Sequence, residues 1–410
     1  MDEVGVVGLG VIGAAISWRL GEGGQPVVGY DRFRAGHPFG SSHGAARIIR
    51  QAYYEHPDYV PLVQRSWTKW QELERVSGRS LLRQTGGLMI GPPDGELVSG
   101  TLESVRRHGL RHAVLDAAAI GQRFPQFRVP AGEIGIFEDL AGVLRCEMAV
   151  ETLIRAAGRA RQPLSIVHDQ VLRLEAVGER VRVHTASGRR DFAQVVVAAG
   201  GWTSDLLPDF NLPLTVERQV QVWFAPSSPA SFAPAQFPIW MHQTEDGQMF
   251  YGLPAMDGKS VKAARHHHGI TTSMEHLDRQ VSDQDRAVVT DAVAQILPGL
   301  GSEIAASSVC SYTDTPDLHF LIGRLQALPG VILATGFSGH GFKFAPVIGD
   351  LIADIVLRDA LPPALLATTA SVSSRPSRQR RSPAVRLARA VRVCDWLALR
   401  RLFRAMGETA

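Results

Sequence analysis

Residues 4–13 read VGVVGLGVIG, and the order of residue types within them decides the fold. VGVV is a short apolar run of strand type, GLGVIG places glycines at 8, 10 and 13, and AAISWRL follows with helical character. A glycine-rich turn at 21–24, a second apolar run PVVGY and Asp31 complete a strand, turn, helix, strand and terminal acid within about 30 residues. Each glycine has a distinct use. Gly8 makes the tight turn, Gly10 lets the backbone approach a pyrophosphate, and Gly13 lets the helix pack closely, while the helix N-terminus offers free N–H groups and a positive dipole end. Asp31 is placed to accept hydrogen bonds from ribose hydroxyls, which disfavours a 2′-phosphate. This constellation predicts dinucleotide binding.

Further along, two more apolar runs deliver glycines: VVVAAGG at 195–201 and VILATG at 331–336, the latter continuing through GFSGHGFKF into a helix. Three such elements so far apart predict a nucleotide domain assembled from distant pieces of chain. NAD dehydrogenases usually keep that domain in one block, so the dispersal favours FAD. Helical periodicity at 57–78, 147–161 and 276–297 and strand-like runs at 85–91, 164–167, 171–177, 181–186 and 214–265 fill the intervals. The expected architecture is α/β, a discontinuous Rossmann-type FAD-binding domain (1–80, 140–215 and 310–368) with a β-rich substrate domain (81–139 and 216–309).

Composition sets the class. The chain has 410 residues, 45% hydrophobic and 20% charged, ample for a large buried core. Three widely spaced cysteines (146, 310 and 394) form neither a disulfide framework nor a zinc pattern, which suits a reducing compartment. Asp2 and Glu3 stand where a secretion signal needs positive charge, and no apolar run is long enough to span a membrane, so a cytoplasmic location is expected. Residues 371–410 carry ten arginines against Asp395 and Glu408, a balance of +8, and leave a body of 33 basic and 38 acidic side chains. The stretch 369–410 therefore reads as a basic C-terminal extension: a flexible linker, then a weak apolar stripe at 387, 391, 394, 398 and 402. Docking on the body or plain disorder is the first reading of it, with an anionic membrane surface second and nucleic acid not expected.

Several motifs, in order, carry a family resemblance: GSSHGAARIIRQAYYE (40–55), VVVAAGGWTSDLL (195–207), FYGLP (250–254), VCSYTDT (309–315) and GFSGHGFKF (336–344). From about residue 3 to 360 the chain resembles monomeric sarcosine oxidase and N-methyltryptophan oxidase, within the D-amino-acid-oxidase-like flavoproteins. The resemblance implies a secondary (N-methyl or cyclic) α-amino acid as substrate, molecular oxygen as acceptor, and an imine and hydrogen peroxide as products. A monomer is favoured. Two other readings stay open: a biosynthetic imino-acid oxidase or a dehydrogenase with another electron acceptor, and a cofactor-carrying interaction protein whose function lies in the tail.

Site residues follow from the same motifs. The resemblance implies FAD attached covalently through Cys310, and a thiolate is the nucleophile such a bond requires; read alone, Cys310 is a small buried hydrophobe. Gly200 and Gly339 join Gly8, Gly10, Gly13 and Asp31 at the cofactor. Arg50 and Lys343 are expected on the substrate carboxylate, and the planar fork of Arg50 would fix its orientation. His43 and Arg47 are implied beside the flavin ring. Lys262, rather than nearby Lys259, matches the oxygen-activating lysine, where a fixed charge favours an anion forming on oxygen. Tyr251, Tyr312, His266 and Met241 would line the amine side of the pocket. No metal is expected, because adjacent histidines at 266–268 would alternate faces in a strand. Where the family usually reads His-His-Gly-Asp-Thr-Arg, this chain has Ser42-His43-Gly44-Ala45-Ala46-Arg47. Losing a carboxylate and a hydroxyl there argues against sarcosine itself and leaves room for a bulkier or more apolar amino acid.

Overall fold

A computed structural model describes residues 2–367. The basic extension from 368 onward, with Cys394 and the apolar stripe, lies outside the described residues.

The strand Val4–Val7 sits centrally in a six-stranded sheet, between Val27–Tyr30 and Gln194–Val197. Val331–Thr335 and Ser165–Val167 extend it in parallel, and Leu321–Arg324 closes one edge antiparallel. Every residue of Val4–Val7, Val27–Tyr30 and Val331–Thr335 is buried, as a sheet covered on both faces requires. The helices Val11–Glu22 and Ala345–Arg358 pack against each other so closely that a Cβ on Gly349 would lie 2.7 Å from the Ala15 carbonyl oxygen. Thus the three distant strand-to-glycine segments meet in neighbouring strands, with their glycine ends on the same side of one parallel sheet.

A nine-stranded mixed sheet supplies the other wall. Its longest ladder pairs Thr215–Phe224 with Ile304–Asp314, antiparallel, with Gln219 opposite Cys310 and Glu217 opposite Tyr312. One face of this ladder therefore presents Gln221, Gln219 and Glu217 beside Cys310, Tyr312 and Asp314. The boundary expected between 309 and 310 falls inside this continuous strand, because ten consecutive partners hold it in one sheet. A small sheet of Ala46–Ile49, Gly142–Arg145 and Leu82–Gln84 carries Arg47.

The helix expected from 276 begins at Asp283. Ser282 accepts from the Asp285 N–H and Asp285 accepts back from the Ser282 N–H, a reciprocal cap that fixes the start seven residues late. No helix among the described residues is long and apolar enough to cross a membrane.

Candidate active site

The glycine turn explains itself. Gly8 has φ 90°, and a Cβ there would meet the Ala198 carbonyl oxygen at 2.5 Å; a Cβ on Gly13 would stand 1.8 Å from the Gly8 oxygen. Only glycine allows both the turn and the close seating of the helix behind it. One cavity is lined by Gly8, Gly10, Asp31, Arg32, Gly200, Trp202, Cys310, Tyr312 and Gly339, so backbone from all three strand ends and the nine-stranded sheet share it. Gly13 lies beneath the turn rather than in that lining. Asp31 accepts from the Leu9 and Phe33 N–H groups, both at 2.8 Å, which fixes its carboxylate at the end of the second strand. Arg32 stacks on Phe33 and Trp202 at 4.6 and 4.8 Å. These features fit a dinucleotide: bare backbone and a helix N-terminus for the pyrophosphate, a fixed acid, and an aromatic and cationic rim.

At the far end of the cavity lies Cys310, with Arg47 Nη2 3.4 Å from its Sγ. Arg47 is held by the carbonyls of Ser41 and Ala46, both at 3.0 Å, so its positive charge is fixed against the sulfur. His43 is buried with Nε2 unpartnered, and burial, then Arg47 and Lys262, push its pKa down to about 4. It is therefore neutral at pH 7.

Beyond this point buried charge takes over. Lys262 Nζ donates to the carbonyls of Gly44 (2.8 Å) and Ala46 (3.0 Å) and lies over the Trp223 ring. Lys259, by contrast, is exposed on the preceding turn. Lys343 Nζ donates to the His340 carbonyl (3.0 Å) and to the Tyr53 hydroxyl (3.2 Å). Both lysines are pushed down to about 7, by burial first and then by a neighbouring guanidinium, Arg47 for Lys262 and Arg50 for Lys343. Neither pairs with a carboxylate among the described residues.

Arg50 differs from expectation. Its Nη2 is taken by Glu55, at 2.7 and 2.5 Å to the two carboxylate oxygens, and its Nη1 donates to the Ala52 carbonyl. Burial opposes ionisation of Glu55, but Arg50, His340 and Lys343 together hold its carboxyl below the ordinary range. Arg50 and Lys343 nevertheless converge, since both stand over the Tyr53 ring, at 4.2 and 5.1 Å. Tyr53 also meets His340 Nδ1 at 2.7 Å.

The aromatic residues assemble as well. Tyr312 lies 3.2 Å from His266 Nδ1, and Tyr251 packs edge-on to His266. A Cβ on Gly339 would stand 2.5 Å from the Tyr312 ring, so glycine there is what admits the tyrosine. Met241 is in register with Tyr251, and both belong to an apolar cluster that includes Ala46 and Met89. The histidine run corrects one step of the sequence reading. The strand ends at His266, and His267 and His268 turn away with φ 61° and 60°, so strand alternation does not govern them.

Four partners escape sequence reading: Tyr53, Glu55, Glu138 and Glu147. Glu138 is buried and pushed up to about 7 by that burial, yet it accepts from the Gln51 and Ala52 N–H groups and so pins the chain after Arg50. Glu147 accepts from the Gly44 and Ala45 N–H groups from about a hundred residues away. Glu55, inside the quoted 40–55 motif, offered the one local signal, an acid five residues from an arginine.

Residues 3–355 match the FAD dependent oxidoreductase family. The chain is 38% identical over 359 residues to the monomeric sarcosine oxidase of Streptomyces avermitilis, covering 87% of this chain and 93% of that relative. It is 32% identical over 354 residues to the N-methyl-L-tryptophan oxidase of Salmonella dublin, with 86% and 94% covered. Among solved structures, NikD, an unusual amino acid oxidase essential for nikkomycin biosynthesis, superposes with a TM-score of 0.80 at 23% identity, over 92% of this chain and 99% of that one. Glycine oxidase from Geobacillus kaustophilus gives 0.72 at 22% identity, over 87% and 95%. At such identities the solved structures speak for the fold, which is that of the D-amino-acid-oxidase-like proteins. With the family match spanning most of its length, the chain belongs to the FAD dependent oxidoreductases.

Proposed function

We propose that this protein is an FAD-dependent oxidase of a secondary α-amino acid, N-methyl or cyclic, that yields an imine and hydrogen peroxide. The observation that carries the reading is the convergence of buried Arg50 and Lys343 on Tyr53, in a chain that also builds a dinucleotide cavity with Cys310 in its lining. Cations buried at such cost call for an anion, and an amino-acid carboxylate is an anion of suitable size. Sarcosine oxidase and N-methyltryptophan oxidase among the relatives support the substrate class.

FAD, when bound, supplies the two-electron acceptor for oxidation of the carbon–nitrogen bond. The chain's own residues position and charge the site. The substrate carboxylate takes a place on Lys343 and, by displacing Glu55, on the Arg50 guanidinium. Its amine, deprotonated, faces Tyr312, Tyr251 and His266, whose neutral imidazole is held well below its usual range by burial first and then by neighbouring cations, so it does not repel a cationic amine before the proton leaves. Ala46, packed with Met241 and Tyr251, makes this wall apolar and favours a side chain larger than hydrogen. Lys262, with no carboxylate among the described residues to neutralise it, supports oxygen over another acceptor. The Cys310 sulfur, clasped by Arg47 at the cavity wall, is the attachment point for a covalent flavin.

Two measurements test these statements together. A peroxide-coupled screen of N-methyl and cyclic amino acids is expected to give one peroxide per substrate consumed; turnover only with an artificial acceptor would favour a dehydrogenase. After acid precipitation the flavin colour is expected to stay with the protein, and to leave it in Cys310→Ser. A colourless pellet from yellow wild-type protein would return Cys310 to a packing role.

A further inference from the structure

Glu217, His267 and Asp314 bring three metal-binding groups together, one ligand atom from each lying within 4.8 Å of the others. Two of them come from the long ladder. Glu217 stands opposite Tyr312 and Thr215 opposite Asp314, so both carboxylates leave the same face of the sheet as Tyr312. The third arrives by a turn. His267 and His268 both adopt positive φ immediately after the strand, a conformation that non-glycine residues reach at a cost, and the Gly269 N–H donates to Glu217.

The His267–Glu217 spacing is that of two ligands around an ion, and Asp314 stands slightly wider. His267 Nδ1 is 3.3 Å from Glu217 Oε2 and 3.8 Å from Asp314 Oδ2. A charge-assisted N–H···O bond closes to about 2.7–2.9 Å, whereas two ligands each about 2.0–2.2 Å from one tetrahedral ion stand roughly 3.3–3.6 Å apart. Independently, Asp314 Oδ1 is buried with no hydrogen-bond partner, and Asp314 and Glu217 are each only 8% exposed. A buried carboxylate oxygen with no donor calls for a cation or a proton. The His267 side chain, 20% exposed, leaves a way in from solvent.

We propose that Glu217, His267 and Asp314 bind a single divalent first-row metal ion through His267 Nδ1 and one oxygen of each carboxylate. Mixed carboxylate and imidazole ligands suit zinc or manganese. The bound ion ties the histidine turn to the ladder next to Tyr312, whose ring packs edge-on against His267 and whose hydroxyl meets His266. The competing arrangement is a proton shared between the two carboxylates, with His267 as their counter-charge.

The test uses full-length, flavin-loaded protein treated with chelator and titrated calorimetrically with zinc chloride alone, then with manganese chloride alone. One equivalent of at least one metal is expected to bind, with affinity reduced about 100-fold or more in Glu217→Gln and in Asp314→Asn. The flavin absorbance of each variant reports that it has folded, and His267→Gln gives the same reading if a carboxylate variant does not fold. Absence of saturable binding of either metal, or an equivalent bound equally by wild type and the folded variants, would overturn the proposal in favour of the shared proton.

Discussion

The glycine-lined cavity and the buried charged cluster are built on opposite physical principles. The cavity wall at Gly8, Gly10 and Gly200 is made of backbone, and it works because a side chain is absent at Gly8, where a Cβ would strike Ala198. The cluster of Arg50, Lys262 and Lys343 is made of side chains, and it works because charge is buried where water cannot screen it. The first binds by shape and aligned N–H groups, which hardly change with conditions. The second holds cations at a desolvation cost that only an anion relieves, so it is responsive to substrate, to pH and to single substitutions.

That contrast can be attacked from both sides. Gly8→Val is expected to have the largest effect, loss of flavin altogether, because the new side chain meets backbone rather than a yielding side chain; flavin absorbance of the purified variant checks it. Arg50→Ala is expected to retain flavin but to lower kcat/KM by about 10²–10⁴, the equivalent of two charge-assisted hydrogen bonds. It also strands Glu55, and breaking a buried pair costs about 3–5 kcal/mol in stability. Adding Glu55→Gln is expected to recover part of the melting temperature and none of the turnover, which separates the structural role of the pair from the substrate role of Arg50.

Lys262→Met removes a charge that donates to two carbonyls and lies over the Trp223 ring. Reaction of the reduced enzyme with oxygen is expected to slow by about 10²–10³, with anaerobic reduction by substrate nearly unchanged, as stopped-flow absorbance would show. An equal loss in both half-reactions would refute its assignment to oxygen.

The smallest effect is the most diagnostic of buried charge. Burial holds Lys343 at about 7, so below that pH it is already cationic, and above it an incoming carboxylate must bring a proton with it. A simple carboxylate inhibitor without an amine is expected to bind with a pH-independent Kd below about 7 and about tenfold more weakly per unit above it. Lys343→Met is expected to flatten that profile at a uniformly weaker Kd.

The same contrast governs what can be read from a linear chain. Gly8, Gly13 and Asp31 are legible because a tight turn, a close helix and a strand-end acid impose their spacing locally; Gly13 packs on the Gly8 carbonyl and Asp31 accepts from the Leu9 N–H. Cys310, Arg47 and Lys262 were reachable only through a resemblance of whole motifs, since 263 residues separate Arg47 from the sulfur it touches. Glu138 on the chain after Arg50 and Glu147 beneath Gly44 give no pattern that singles them out, and Glu55 gives only its nearness to Arg50, because an acid in a sequence carries no mark of the partner it will meet. His267 shows a different failure: periodicity assigned it to a strand, and the turn that redirects it depends on Glu217 receiving the Gly269 N–H.

By itself, then, the sequence determined the nucleotide-binding turn, the α/β architecture and the chemical types available to the site, because hydrophobic period and glycine spacing act within a few residues. Tertiary structure alone decided which charges are neutralised, by Glu55 for Arg50 and by no carboxylate among the described residues for Lys262 and Lys343, and therefore where an anion can bind. The physical reason is that burial and pairing are properties of convergence: a lysine near neutrality differs from an ordinary one only in what surrounds it.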